Sequence, residues 1–115
     1  MTPEGRVKAA VKKVLKPYIE GKEMWAHWPV QTGYGAPTLD CTGAIRGQAF
    51  AIETKRPGEG PTERQKLTIA AMQAAGVTVF VIGTHADVVY HGKRSEFIYS
   101  GMESLSAWLL IARLR

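Results

Sequence analysis

Apolar positions change period along the chain, and each change marks an element. Between residues 3 and 16, Val7, Val11, Val14 and Leu15 recur at helical spacing, with Lys8, Lys12 and Lys16 on a separate stripe. Thr2 is suited to cap this helix and Pro3 to its first turn. The Lys16-Pro17 step predicts its end, because proline disfavours the α region for the residue before it. Met24 to Val30 reads as an aromatic-rich strand, followed by a glycine-marked loop over 31–37. Leu39 to Ile45 and Gln48 to Lys55 alternate as strands joined by a tight hairpin at Arg46-Gly47. After the turn-rich Arg56-Pro57-Gly58-Glu59-Gly60-Pro61, Thr62 and Gln65 form a capping box for a helix that Gly76 ends. Val77 to Ile82 has the continuous apolar pattern of a strand buried on both faces, inside a sheet covered by helices. A short helix capped by Thr84 through Val89, an edge strand at Phe97 to Ser100 and a closing helix from Met102 to Leu114 complete the pattern. The order is α-β-β-β-α-β-α before the tail, an α/β sheet core flanked by helices.

Composition narrows what such a domain does. The 115 residues make one domain, residues 1–115, with 45% hydrophobic and 22% charged residues, as in ordinary globular chains. The longest apolar run, Ala107 to Ala112, is far short of the ~20 residues of a membrane span. Glu4 and Arg6 do not fit a secretion signal, so a cytoplasmic protein is expected. One cysteine, Cys41, excludes an internal disulfide and any four-cysteine zinc site. His27, His85 and His91 share no metal-ligand spacing. Fifteen Lys and Arg against ten Asp and Glu leave a net charge of +5, which favours polyanionic partners such as nucleic acid.

The chemistry concentrates at the hairpin. In Phe50-Ala51-Ile52-Glu53-Thr54-Lys55, strand alternation sends Ala51, Glu53 and Lys55 to one face. Asp40 lies seven residues before Gly47 and Glu53 six after it, so folding at that glycine sets the two carboxylates nearly opposite. Like charges so placed call for a cation between them, and hard oxygen donors suit Mg²⁺ or Mn²⁺. Lys55 then adds positive charge where a phosphoryl transition state gathers negative charge, or orients the attacking water. A surface strand with ordinary alternating charges is the competing account for a bare Glu-x-Lys, but not for the full set with its hairpin.

Taken together, Gly35-Ala36-Pro37-Thr38-Leu39-Asp40, Gly47, Glu53-Thr54-Lys55 and Thr62-Glu63-Arg64-Gln65 with the helix ending at Gly76 resemble the VRR-NUC domain. This is the virus-type replication-repair branch of the PD-(D/E)XK nucleases. The resemblance covers residues ~2–83 and implies a restriction-endonuclease-like core, a mixed central sheet flanked by helices. It implies a divalent-metal-dependent DNA nuclease using Mg²⁺ or Mn²⁺. Stand-alone phage members resemble archaeal Holliday-junction resolvases, which implies branched DNA as substrate, a homodimer, and a bacterial host cell as its setting. Residue by residue, Asp40 and Glu53 match the metal-binding carboxylates, Lys55 the catalytic lysine, the Thr54 carbonyl a backbone ligand and Gln65 the branch's glutamine. Glu4 matches an acid on the first helix. Its place on the Val7 and Val11 stripe points it inward, while a role at the helix dipole is the alternative. One departure is local: Leu39 stands where the family has proline before the aspartate.

Candidate phosphate contacts are Arg56 and Arg64 beside the site; the Lys8, Lys12 and Lys16 stripe is most simply a solvated face, with a further phosphate track as the alternative. Trp25, Trp28 and Tyr34 are candidates for base stacking, against core packing for at least one tryptophan. The closing helix, centred on Trp108 and Leu109, carries apolar residues over more than one stripe. That reads either as burial in its own domain or, since a small core has limited room for so wide a face, as a subunit interface. The leading reading is a structure-selective nuclease. Its alternatives are a monomeric flap or nicking nuclease, a non-cleaving nucleic-acid-binding module, and a basic scaffold or replication accessory protein.

Overall fold

In the computed structural model, residues 2–30, 38–83, 85–91 and 94–115 are described, those at 85–91 and 94–98 by backbone alone. The first helix, α1 (Pro3–Glu20), is capped by Thr2, whose Oγ1 accepts from the Gly5 N–H at 3.0 Å. Val7, Val11, Leu15 and Tyr18 form its buried stripe. The helix does not stop at Lys16. Pro17 lacks an N–H and gives up one bond within the last turn, but buried Tyr18 anchors that turn to the core. The Gly21 N–H then closes it on the Pro17 carbonyl at 2.9 Å.

Four strands follow in one sheet: β1 (Met24–His27), β2 (Cys41–Ile45), β3 (Gln48–Thr54) and β4 (Thr78–Ile82), in the order β1-β2-β3-β4. β1 and β3 run antiparallel to β2, and β4 runs parallel to β3. The β2–β3 turn has φ of 49° at Arg46 and 80° at Gly47. Positive φ at both positions is the two-residue turn whose twist matches the strands. It locks the register, with Cys41 opposite Ile52. α2 (Glu63–Ala74) makes the crossover from β3 to β4, with the expected Thr62–Gln65 capping box and Gly76 at φ 93° just beyond it. Met24, Cys41, Ile45, Phe50, Ile52 and Ile82 meet Val7, Val11 and Leu15 of α1, and Leu105 and Leu109 of the last helix, in the core.

The second half departs from the pattern-based expectations. β4 is the edge of its sheet and is only half-buried over residues 78–81, not an internal strand buried on both faces. Residues 85–89 are not helical. They belong to β5 (His85–His91), which pairs antiparallel with β6 (Arg94–Tyr99) in a separate two-stranded sheet. The β-branched and aromatic run Val88-Val89-Tyr90 favours that outcome; Thr84, its supposed cap, lies outside the described residues. The last helix, α3 (Met102–Ala112), starts after Gly101 in the left-handed conformation.

On α3, Leu105, Leu109 and Ala112 are buried, and half-buried Trp108 sets its ring edge-on to Phe50 and Phe80 at 6.0 and 5.6 Å. Trp108 and Leu109 therefore serve this domain's own core and are not an outward interface. The apolar residues that α3 and its end leave exposed are Leu110, Ile111 and Leu114. Among the described residues no helix is long and apolar enough to cross a membrane. Trp108→Ala is expected to cost about 3 kcal/mol, the lower end for emptying a tryptophan site in a core. Urea unfolding measures it; a loss under ~0.5 kcal/mol would return Trp108 to the surface.

Candidate active site

Four polar residues that the chain buries together lie where the hairpin meets β4: Asp40, Glu53, Thr54 and Lys55. Cys41 opposite Ile52 puts the Asp40 backbone beside Glu53 when the ladder is extended by one step. Asp40 precedes β2, so its carboxylate is not committed to one face and reaches across the end of β3. Its Oδ2 accepts from both the Thr54 N–H at 2.9 Å and the Thr54 hydroxyl at 2.7 Å. The Asp40 N–H donates to Glu53 Oε1 at 3.2 Å, and Gln65 Nε2 donates to Glu53 Oε2 at 2.6 Å.

Gln65 is held from the other side by the helix cap. Its Oε1 accepts from the Thr62 N–H at 2.9 Å, and its own N–H donates to Thr62 Oγ1 at 3.1 Å. The capping box that starts α2 thus aims an amide at the Glu53 carboxylate. Lys55 Nζ stands 3.9 Å from Glu53 Oε2, and the Lys55 N–H donates to the Ile82 carbonyl at 2.8 Å. Gly83 makes that seat possible, because a Cβ there would lie 2.6 Å from the Lys55 carbonyl oxygen and 2.8 Å from its Cβ.

Burial pushes the Glu53 carboxyl up to about 7, reinforced by the charge of Asp40 and a hydrogen bond to it, while Lys55 opposes the shift. Two acids and one ammonium therefore share a confined space at neutral pH, with one acid poised between its charged and protonated forms. No buried side-chain nitrogen or oxygen among the described residues lacks a partner.

The structure brings together Asp40, Glu53, Thr54, Lys55 and Gln65. It does not gather Glu4 with them. Glu4 is exposed in the first turn of α1, not directed inward, and among the described residues no three Asp, Glu, His or Cys side chains form a group able to share a metal. At that position its charge favours the helix N-terminus. Arg56 and Arg64 are exposed near the site, with Arg56 Nε 2.9 Å from Glu59 Oε1. Lys12 and Lys8 lie over the half-buried Trp28 ring at 4.9 and 6.0 Å, so that tryptophan packs on the core beneath two cations. Tyr34 lies outside the described residues. Cys41 is fully buried, and burial raises its thiol to about 12, which leaves it inert.

Two contributors were not anticipated from the sequence: the Thr54 hydroxyl as an Asp40 donor, and Gly83 as the seat of Lys55. A threonine between Glu and Lys and a glycine ending an apolar run were the available signals.

No protein-family model matches the sequence, and no curated protein matches it. A solved VRR-NUC domain superposes on this chain with a TM-score of 0.54 and 24% sequence identity, over 73% of this chain and 87% of that one. The chain shares the VRR-NUC fold. Its α/β architecture, among the described residues a mixed four-stranded sheet and a two-stranded one with three helices, is restriction-endonuclease-like, as the sequence resemblance implied.

The raised Glu53 carboxyl has a consequence for stability. It titrates near 4.5 when free of the fold and near 7 within it, so the native state holds the proton more tightly. Its contribution is full below about pH 4.5 and is lost as pH rises through about 7, worth roughly 3 kcal/mol at ~1.36 kcal/mol per unit. Denaturant titrations of chelator-treated protein should show stability falling over this window. Glu53→Gln, which keeps the shape of the protonated form, should flatten the fall; an unchanged slope would show that Glu53 does not titrate there.

Proposed function

We propose that this protein is a divalent-metal-dependent nuclease that hydrolyses DNA phosphodiester bonds. The observation that carries the reading is the buried Asp40–Glu53 pair with Lys55 beside it, at the end of β3 in a VRR-NUC fold. The donor set fits a hard cation. Two carboxylates and the Thr54 carbonyl supply oxygen ligands, and a group of only two acids leaves positions for water and a phosphate oxygen, as Mg²⁺ prefers. A cation would also offset the burial and the Asp40 charge that raise Glu53. Bound there, Mg²⁺ or Mn²⁺ would acidify a water and neutralise charge on the phosphate.

The chain's own residues divide the remaining tasks. Thr54 fixes Asp40 through two hydrogen bonds, and Gln65 and the Asp40 N–H fix the two oxygens of Glu53. Held this way, neither carboxylate has to reorganise as charge develops. Lys55, almost fully enclosed, offers a cation to the phosphate oxygens that gain charge. Arg56, Arg64, Lys8 and Lys12 provide charge for the flanking phosphates.

Branched DNA cut by a homodimer is the substrate reading we favour, because paired cuts need two sites related by a two-fold axis. The exposed Leu110, Ile111 and Leu114 replace Trp108 and Leu109 as the proposed contact between copies. Nicking or flap cleavage by a monomer is the alternative, and light scattering with labelled four-way junction and flap substrates separates the two.

Asp40→Asn and Glu53→Gln are expected to abolish cleavage in Mg²⁺, as is EDTA with the unchanged protein. Lys55→Ala should slow single-turnover cleavage at least ~100-fold, the scale for one positioned transition-state donor, while still binding DNA. Full activity of either carboxylate variant, or activity in EDTA, would refute the proposal.

A further inference from the structure

Trp25 and His27 are two residues apart on β1 and so project from one face of the sheet. Their rings stack with centroids 6.1 Å apart and planes 15° from parallel. Both side chains are exposed, Trp25 to 64%. An exposed tryptophan that does not contribute to the core needs another account.

The register identifies the face. Trp25 is opposite Ala44, His27 opposite Thr42, and Thr42 opposite Ala51, two residues before Glu53. The aromatic stack therefore lies on the same side as the Glu53 carboxylate, while α1 and α3 pack on the other. Next to the stack the sheet presents half-buried Thr42 and Ala44 and exposed Ala49, small side chains that leave a shallow floor. Beyond them Ala51 and Glu53 are buried, and α2 stands on this side at Glu53. With strands ~4.8 Å apart and ~3.4 Å per residue, His27 is about 12 Å and Trp25 about 17 Å from Glu53. That is a reach of a few nucleotides along one strand, since an unpaired strand extends beyond the ~3.4 Å per nucleotide of a duplex.

Charge points to the occupant. Glu53 is the one acidic residue in β1, β2 and β3. The rim beyond Trp25 carries exposed Lys22 and Arg46, in two turns joined by the Arg46 N–H to the Glu23 carbonyl at 3.1 Å. Glu23 itself is engaged by Arg113 through bonds of 2.7 and 3.1 Å. A floor of small residues, bordered by a ring stack and a cationic rim, suits a polyanion with accessible base faces. A second copy of this chain would bring the same charge of +5.

Resting on the nuclease reading above, we infer that the Trp25–His27 stack is a platform for a base of an unpaired DNA strand, a few nucleotides from the bond that is cut. Duplex DNA keeps its base faces internal, so the platform selects DNA in which a single strand leaves a duplex near the cleavage position. Fluorescence anisotropy in EDTA, where nothing is cut, tests this with a blunt duplex and the same duplex bearing a single-stranded arm. Trp25→Ala should lose roughly 5- to 100-fold in affinity for the armed DNA, the range for removing one stacking aromatic, and leave blunt duplex binding unchanged. Trp25→Phe should retain most of the affinity, since a ring remains, and His27→Ala should lose a smaller share. An unchanged affinity, or equal losses on both DNAs, overturns the platform. So does a Trp25→Ala variant that turns a dimer into a monomer while keeping the preference for armed DNA, which would assign the face to a second copy. Cleavage that survives Asp40→Asn would instead overturn the nuclease reading, so the two failures are distinct.

Discussion

Two carboxylates buried against each other are the constraint on which the site depends. Asp40 and Glu53 are both nearly sealed from water, and burial with mutual repulsion raises Glu53 to about 7. Such a pair persists only if donors surround it and its excess charge is neutralised by a proton, a nearby ammonium or a cation. The chain supplies the donors: Thr54 for Asp40, and Gln65 with the Asp40 N–H for Glu53. Lys55 supplies part of the neutralising charge at 3.9 Å. Full neutralisation at neutral pH is the opening that the proposed metal would fill.

The fold can be understood as the means of holding that pair. A two-residue turn at Arg46-Gly47 fixes the β2–β3 register, and with it the position of Asp40 beside Glu53. The crossover through α2 returns the chain as β4, parallel to β3, so that Ile82 and Gly83 meet the Lys55 backbone. The capping box of α2 does two jobs through one side chain, closing the helix N-terminus and orienting Glu53. The core of α1, the sheet and α3 lies on the opposite side, and α2 stands on the Glu53 side, where Gln65 meets that carboxylate.

Much of this was legible in the sequence because it depends on local chemistry. The hairpin glycine, the strand alternation around Glu53 and the Thr62–Gln65 cap each require particular residues at fixed offsets, and all three appear in the fold. What failed depends on tertiary context. Pro17 sits inside α1 because Tyr18 is anchored in the core, which no local signal at Lys16-Pro17 reveals. The apolar run of β4 does not distinguish a central strand from an edge strand. Trp108 looked available for an interface until Phe50 and Phe80, distant in sequence, were found against its ring. Glu4 shares the spacing of a buried stripe, but it stands exposed in the first turn of the helix, and burial starts only at Val7.

In the proposed mechanism the Asp40–Glu53 pair is a site for a hard divalent cation. Calorimetric titration of metal-free protein with Mn²⁺ at about pH 7, repeated in buffers of different ionisation enthalpy, tests it most directly. The account predicts saturable binding with net proton release from a carboxyl that titrates near 7. It also predicts that Asp40→Asn weakens the binding strongly while the protein remains folded. Equal Mn²⁺ binding by folded Asp40→Asn protein, or no binding by the unaltered chain, would contradict it.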